Sequence, residues 1–246
     1  MSTSSRETVS TIVAKAREFG AALVGIARVD DLKRSSVYEV YDRSPYYDGY
    51  TGVEWPDDAR SVLVLALGHP PSEPELDWWG DAIPGRTPGN RLLMNISKKL
   101  RLWLREDLGI GARSLPYPVE VGGVFLKDAA ALAGLGAIGK NNLLITPELG
   151  TFHRLRALFL DVELEPTGPI DFDPCNGCDM PCFRSCPRKA FRSGAYETTL
   201  CKLEMEQNKA DAVVVEGPVV GIDDACEVVK YCRNCEYACP VFGGES

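Results

Sequence analysis

No stretch of this chain is long and apolar enough to span a bilayer. Its longest apolar run, Val62–Leu67, falls far short of the roughly 20 residues that a spanning helix needs. The opening residues, MSTSSRETVSTIVAKA, lack the basic n-region and continuous apolar core of a secretory signal, and no twin-arginine signal is found. A cytoplasmic protein with no membrane partner is expected. Positive charge is not in excess either: 27 Lys and Arg stand against 35 Asp and Glu, a net charge of −8. That excludes a general attraction to nucleic acid, although Arg and Lys are frequent between 86 and 105. Histidine is scarce, with only His69 and His153. No Ser-His-Asp arrangement, carboxylate-pair motif, internal repeat or low-complexity tract stands out.

Cysteine is what the chain has in quantity. All nine fall in its last third. Cys175, Cys178, Cys182 and Cys186 come first, with Pro187 directly after; Cys232, Cys235 and Cys239 follow, with Pro240 directly after; Cys201 and Cys226 lie between. Two runs that each end in Cys-x3-Cys-Pro are the pattern of a protein holding two 4Fe–4S clusters. In two-cluster ferredoxins the cysteine before the proline ligates the other cluster. By that rule Cys175, Cys178, Cys182 and Cys239 hold one cluster. Cys186, Cys232 and Cys235 hold three corners of the second, and Cys201 or Cys226 is the fourth. One spacing departs from the usual: Asp179-Met180-Pro181 makes the second gap one residue longer, which alters the loop without preventing ligation. Structural zinc also uses Cys-x2-Cys pairs, but two Cys-Pro endings and this many thiols suit it poorly. Disulfides suit neither a reducing compartment nor an odd count.

The fold class expected is α+β. Ser4-x-x-Glu7 reads as a capping box opening a helix with Val9, Ile12, Val13, Ala16 and Phe19 at helical spacing, closed by Gly20. Residues 22–29 and SVLVLALG at 61–68 read as buried strands. A helix is expected over 90–108, stopped by Gly109, and strands over 113–118, 143–146 and 154–164. Residues 127–133 read as helical, and 38–55 and 70–88 as loops. After Pro166 the texture changes to short Cys- and Pro-punctuated pieces. The division expected is therefore 1–165, a sheet covered by helices, and 166–246, a cluster module.

The segment AGLGAIGKNN (133–142) fits neither a dinucleotide fingerprint nor a P-loop, since a helix precedes it and a strand follows. It reads as a tight packed turn or as a close backbone approach to a large ligand. Taken in order, AALVGIARV, SVLVLALG, ALAGLGAIGKNNLLITPELGTFHRLRALFLDVELEP and the double cysteine run resemble the epoxyqueuosine reductases and the corrinoid reductive dehalogenases, over roughly 7–240. The resemblance implies a nitroreductase-like cobalamin-binding core followed by a ferredoxin-like two-cluster module, with the clusters feeding electrons to cobalt. It implies that Gly134, Leu135, Gly136, Ala137, Ile138, Gly139, Lys140 and Asn141 border the corrin, with Lys140 and Asn141 offering polar groups to its amides. It favours Cys201 as the eighth ligand. Cys226 is then a small apolar residue on a helix expected over 223–231.

Departures bear on the reaction. Epoxyqueuosine reductases carry Val-Asp-Ser/Thr-Ala-Pro upstream of AGLG, whose Asp is the expected proton donor. Here the region reads Pro118-Val119-Glu120-Val121-Gly122-Gly123, no Asp lines up, and Glu120 is the substitute candidate. The dehalogenases use a tyrosine, for which Tyr117 and the tyrosines at 38, 41, 46, 47 and 50 are candidates by type. The tryptophan often found in AGLGW is Ala137. His69 and His153 are expected to be structural, because the resembling families bind cobalamin without a protein histidine. The function expected is a cobalamin-dependent iron–sulfur reductase, fed by a ferredoxin or flavodoxin, acting on a small organic substrate or on the corrinoid itself. The alternatives are a non-enzymatic electron-transfer protein serving a corrinoid partner, and an epoxyqueuosine reductase. With the acidic balance, tRNA is not the expected substrate.

Overall fold

SVLVLALG forms the most deeply buried of the described strands, as an uninterrupted β-branched and aliphatic run should. In the computed structural model, which describes residues 3–37, 53, 55–116, 123–217 and 222–241, this strand is β2 (Ser61–Gly68), buried from Ser61 through Ala66. It lies inside a four-stranded sheet ordered β1-β2-β6-β3, built from β1 (Leu23–Arg28), β3 (Ala112–Ser114) and β6 (His153–Leu160). β1 pairs antiparallel with β2, and β3 antiparallel with β6. Bonds from Arg60 N to Leu160 O and from His69 N to Phe152 O tie β2 to β6 at opposite ends.

The chain divides into two compact units. The first comprises Met1–Leu67, Asn95–Gly136 and Leu155–Asp171; the second comprises Gly68–Met94, Ala137–Arg154 and Phe172–Ser246. The first unit holds most of the sheet, with α1 (Thr3–Glu18), α2 (Val29–Lys33) and α4 (Leu126–Leu132), and the greater part of α3 (Pro88–Leu108). In α3 Leu93, Ile96, Leu100 and Leu104 are buried at helical spacing. Thr87 Oγ1 caps its start by accepting from Asn90 N at 3.1 Å, with Pro88 in the first turn, where a missing N–H costs nothing. Gly109, at φ +66°, ends it in the left-handed region. Three glycines allow one close backbone crossing in this unit. A Cβ on Gly25 would stand 2.3 Å from Ala133 O, and one on Gly134 would stand 2.8 Å from Thr167 O and 2.9 Å from Gly168 Cα. Thr167 locks the crossing: its Oγ1 accepts from Ile26 N at 2.8 Å and donates to Ala133 O at 2.5 Å.

The second unit is built from small pieces. β4 (Ala137–Ile138) pairs with β5 (Leu144–Ile145), and β7 (Val213–Val215) with β8 (Cys226–Val228). Short helices α5 (Pro181–Ser185) and α7 (Asn234–Tyr237) flank the longer α6 (Thr198–Ala210). The helix expected over 223–231 is not formed. Cys226, Val228 and Val229 suit a strand as well as a helix, and pairing with β7, Val215 opposite Cys226, decides for the strand. Cys226 packs there against the small core of Ile83, Ile222 and Val228, beside Trp78 and Val215. β6 is shorter than expected and ends at Leu160.

Among the described residues no helix is long and apolar enough to cross a membrane. Tyr117, Glu120 and the tyrosines at 38, 41, 46, 47 and 50 lie outside the described residues.

Candidate metal centre

The local chain conformation around the first cysteines follows from their spacing. Gly177 stands at φ +67° between Cys175 and Cys178, and Asp173 Oδ1 accepts from Cys175 N at 3.0 Å. The additional residue of the second gap is absorbed at Met180, which adopts φ 55°, ψ 57°. Pro181 then opens α5 at a position that needs no N–H donor. This places Cys182 in the first turn of α5 and Cys186 just past its end, where Pro187 cannot continue the helix.

The nine thiols, all free, do not form one group. Cys182 feels the charges of Cys239, Cys178 and Cys175, and Cys239 those of Cys175 and Cys178. Cys235 feels Cys232, Cys201 and Cys186, and Cys232 feels Cys186 and Cys201. Two sets of four result: 175, 178, 182 and 239; and 186, 201, 232 and 235. Each takes one cysteine from the other run. Cys201 reaches the second set from α6, whereas Cys226 enters neither. Burial first, and the neighbouring thiols next, raise Cys182. Burial leads the rise at Cys232 and Cys239 as well. In Cys235 the same causes push the thiol up to about 12. Among the described residues no three His, Cys, Asp or Glu side chains close on the position of a single metal ion.

Backbone amides point at these sulfurs. Lys140 N donates to Cys175 Sγ at 3.3 Å, Met180 N to Cys178 Sγ at 3.4 Å and Ala190 N to Cys186 Sγ at 3.3 Å. Such N–H···S contacts are one of the levers by which proteins stabilise and tune iron–sulfur clusters.

The glycine-rich segment is divided by its packing. Gly134 belongs to the backbone crossing described above, and Leu135 and Gly136 are buried. Gly139 and Asn141 face the cysteines. A Cβ on Gly139 would meet Ile145 Cδ1 at 2.5 Å and Cys175 Sγ at 3.4 Å. Asn141, 3% exposed, accepts from Leu143 N through Oδ1 and donates from Nδ2 to Cys235 O at 3.5 Å. The Asn141 amide is thus bonded within the protein on both its oxygen and its nitrogen. Half-buried Ala137 and exposed Ile138 and Lys140 remain open to a ligand.

A buried charge network beside Cys235 has no counterpart in the sequence reading. His69, fully buried, donates from Nδ1 to Asp77 Oδ1 at 2.9 Å. Asp77 also meets Arg154 Nε at 2.7 Å. Arg233 Nη1 lies 2.5 Å from Asp77 Oδ2, off the line of a hydrogen bond, so these two meet as an ion pair. Glu236 completes the ring with Arg233 Nη2 at 2.6 Å and Arg154 Nη1 at 3.1 Å. Burial alone pushes the Asp77 carboxyl up. The bond from His69 and the two guanidinium groups outweigh it and hold the carboxyl below its ordinary range. His153, buried and next to Arg154, is pushed down to about 4. Both histidines are buried. Arg233 and Glu236 sit within the second cysteine run, which was the one available signal for this network.

No family model matches the chain. Curated proteins do. An epoxyqueuosine reductase of Leadbetterella byssophila is 34% identical over 149 residues, 59% of this chain and 47% of that protein. A tetrachloroethene reductive dehalogenase of Desulfitobacterium hafniense is 28% identical over 222 residues, 76% of this chain and 39% of that protein. The chain thus spans about half the length, or less, of these relatives. Among solved structures, epoxyqueuosine reductase from Bacillus subtilis superposes with TM-score 0.65 at 19% identity, over 98% of this chain and 67% of that one. Another epoxyqueuosine reductase, solved with a tRNA-Tyr stem loop, gives 0.63 at 19% identity, over 96% and 65%. By sequence the chain is a relative of the epoxyqueuosine reductases and the reductive dehalogenases, and it shares the fold of the former.

Proposed function

We propose that this chain is an iron–sulfur reductase whose two thiol sets hold two 4Fe–4S clusters: Cys175, Cys178, Cys182 and Cys239 one, and Cys186, Cys201, Cys232 and Cys235 the other. The observation that carries the reading is the crossed grouping, together with three amides aimed at thiol sulfurs. When bound, the clusters supply one-electron transfer. The chain's own part is to exclude water from Cys182 and Cys239, to donate backbone N–H to Cys175, Cys178 and Cys186, and to hold the segment of Cys232 and Cys235 through the Asp77–Arg233 pair.

The resemblance to the epoxyqueuosine reductases and the corrinoid reductive dehalogenases supports a corrinoid partner for these clusters in a nitroreductase-like core, with Ala137, Ile138 and Lys140 at its border. When bound, cobalamin supplies a strongly reducing cobalt centre. The substrate proposed is a small organic molecule reduced in the cytoplasm. A second reading, epoxyqueuosine reduction on tRNA, is favoured by the names of the relatives and by the stem-loop complex. The test is anaerobic purification with cobalamin supplied, followed by gel filtration and a visible spectrum. Corrin bands beside the broad iron–sulfur absorption support the reading. Iron–sulfur absorption alone makes the protein an electron carrier that serves a corrinoid partner. Turnover of epoxyqueuosine-containing tRNA by the loaded protein, with no organic substrate reduced, establishes the second reading in place of the first.

A further inference from the structure

The two cysteine sets are gathered in different ways. In the first, Cys175, Cys178 and Cys182 fall within one short run, and only Cys239 comes from elsewhere. The second draws on three separate stretches of chain: Cys186 just past α5, Cys201 on α6, and Cys232 and Cys235 about the start of α7. Gathering distant stretches costs chain entropy.

Side chains that are not ligands join these three stretches pairwise. α5 is joined to α7 by Ser185 and Asn234, which lie 49 positions apart. The Ser185 hydroxyl stands 3.0 Å from Asn234 O and 3.0 Å from Cys182 O, and its one proton is shared between them. Asn234 Nδ2 donates back to Ser185 O at 3.4 Å. α6 is joined to the third stretch by Asn208, whose Oδ1 accepts from Cys232 N at 2.7 Å. The stretch after α5 is joined to α6 by Arg188 Nε, which donates to Glu204 Oε2 at 2.7 Å. Cys201, Glu204 and Asn208 are half-buried and spaced to share one face of α6, so both of its bonds lie on the side of its cysteine.

The two cysteine runs differ at matching points. Ser185 and Asn234 stand directly before Cys186 and Cys235, which meet in the second set. Pro181 and Ala238 stand directly before Cys182 and Cys239, which meet in the first, and their side chains neither donate nor accept. The clamp is thus built at the set whose cysteines are most scattered, and not at the other.

We infer that Ser185, Asn234 and Asn208 are positioning residues that close the second cysteine set before a cluster binds. The fold, and not the cluster, then meets the entropy of bringing three stretches together. The inference rests on the reading of Cys186, Cys201, Cys232 and Cys235 as cluster ligands. Loading from a preformed cubane is ligand exchange. Each cysteine Sγ forms a bond to iron, and a bond from that iron to a small thiolate of the donor breaks. The departing thiolate takes the proton that the cysteine loses, and no electron moves.

The test adds a 4Fe–4S cubane carrying mercaptoethanol thiolates to the anaerobic iron-free chain and follows the growth of iron–sulfur absorption. Ser185→Ala and Asn208→Ala are each placed in two backgrounds: Cys175→Ser, which leaves only the second set complete, and Cys201→Ser, which leaves only the first. Each variant should load about two- to tenfold more slowly in the Cys175→Ser chain and at an unchanged rate in the Cys201→Ser chain. Ser185→Thr, which keeps the hydroxyl, should restore the rate. In the otherwise intact chain the alanine variants should divide loading into a fast and a slow half. The electron paramagnetic resonance broadening of two reduced clusters should then appear only with the slow half. Equal slowing in both backgrounds overturns the inference, since the residues then support the fold in general, and so do unchanged rates in both. A wild-type chain that takes up no cubane fails the cluster reading instead.

Discussion

At the scale of single residues the sharpest contrast is between Cys201 and Cys226. Both lie between the two cysteine runs, and spacing alone leaves either as the eighth ligand. Position in the fold separates them: Cys201 couples to Cys232 and Cys235, whereas Cys226 packs on Val228 and Ile222. Cys201→Ser should lower iron from about eight to about four per chain, while Cys226→Ser should leave it unchanged; iron analysis of the two variants checks this. Cys235 gives a pH dependence. Burial and its neighbouring thiols disfavour its thiolate and push it up to about 12. Cluster loading requires thiolates and so releases protons. Reconstitution of the iron-free protein should therefore speed up as pH rises from 7 to 9, read from the growth of iron–sulfur absorption. The sign for stability is opposite. The raised folded pKa means that the iron-free fold loses stability as pH rises from about 9 towards 12, because only the unfolded chain gives up its proton there.

At the scale of elements, two short pieces do much of the positioning. The turn through Gly139 and Asn141 touches Cys175 of one set and the carbonyl of Cys235 in the other. Gly139→Ala puts a methyl 2.5 Å from the end of buried Ile145. The cost expected is about 1–3 kcal/mol, read by chemical denaturation, with a shifted electron paramagnetic resonance signal for the cluster of Cys175. The clamp of Asp77 on Arg154 and Arg233 joins the Pro74–Asp77 turn to the segment of Cys232 and Cys235. Asp77→Asn leaves Arg154 and Arg233 with Glu236 as the carboxylate they still share. A loss of about 1–3 kcal/mol is expected, measured by denaturation of the loaded protein.

At the scale of the whole chain, what could be read in advance was whatever local pattern decides. β2 was legible because eight consecutive apolar or small residues admit little else, and α3 because its length and glycine stop agree, although its start at Pro88 fell in the expected loop. The cysteine sets proposed here follow the spacing of the two runs that end in Cys-x3-Cys-Pro. The strand β8 was not, since its period is ambiguous and its partner β7 is supplied only by tertiary pairing. The network of His69, Asp77, Arg154, Arg233 and Glu236 was not legible either, because its members are scattered along the sequence and only the fold brings them together. Residues 68–94 and 137–154 join the cysteine-rich segment in one unit, although nothing in their composition resembles it.

The central claim is that the two crossed thiol sets each hold a cubane. It is tested most directly by iron and acid-labile sulfide analysis of the anaerobically purified chain, with electron paramagnetic resonance of the reduced form on the same sample. The account predicts about eight iron and eight sulfide per chain and a spectrum broadened by interaction between two reduced clusters. About four iron with a single unbroadened signal, or zinc in place of iron, would contradict it.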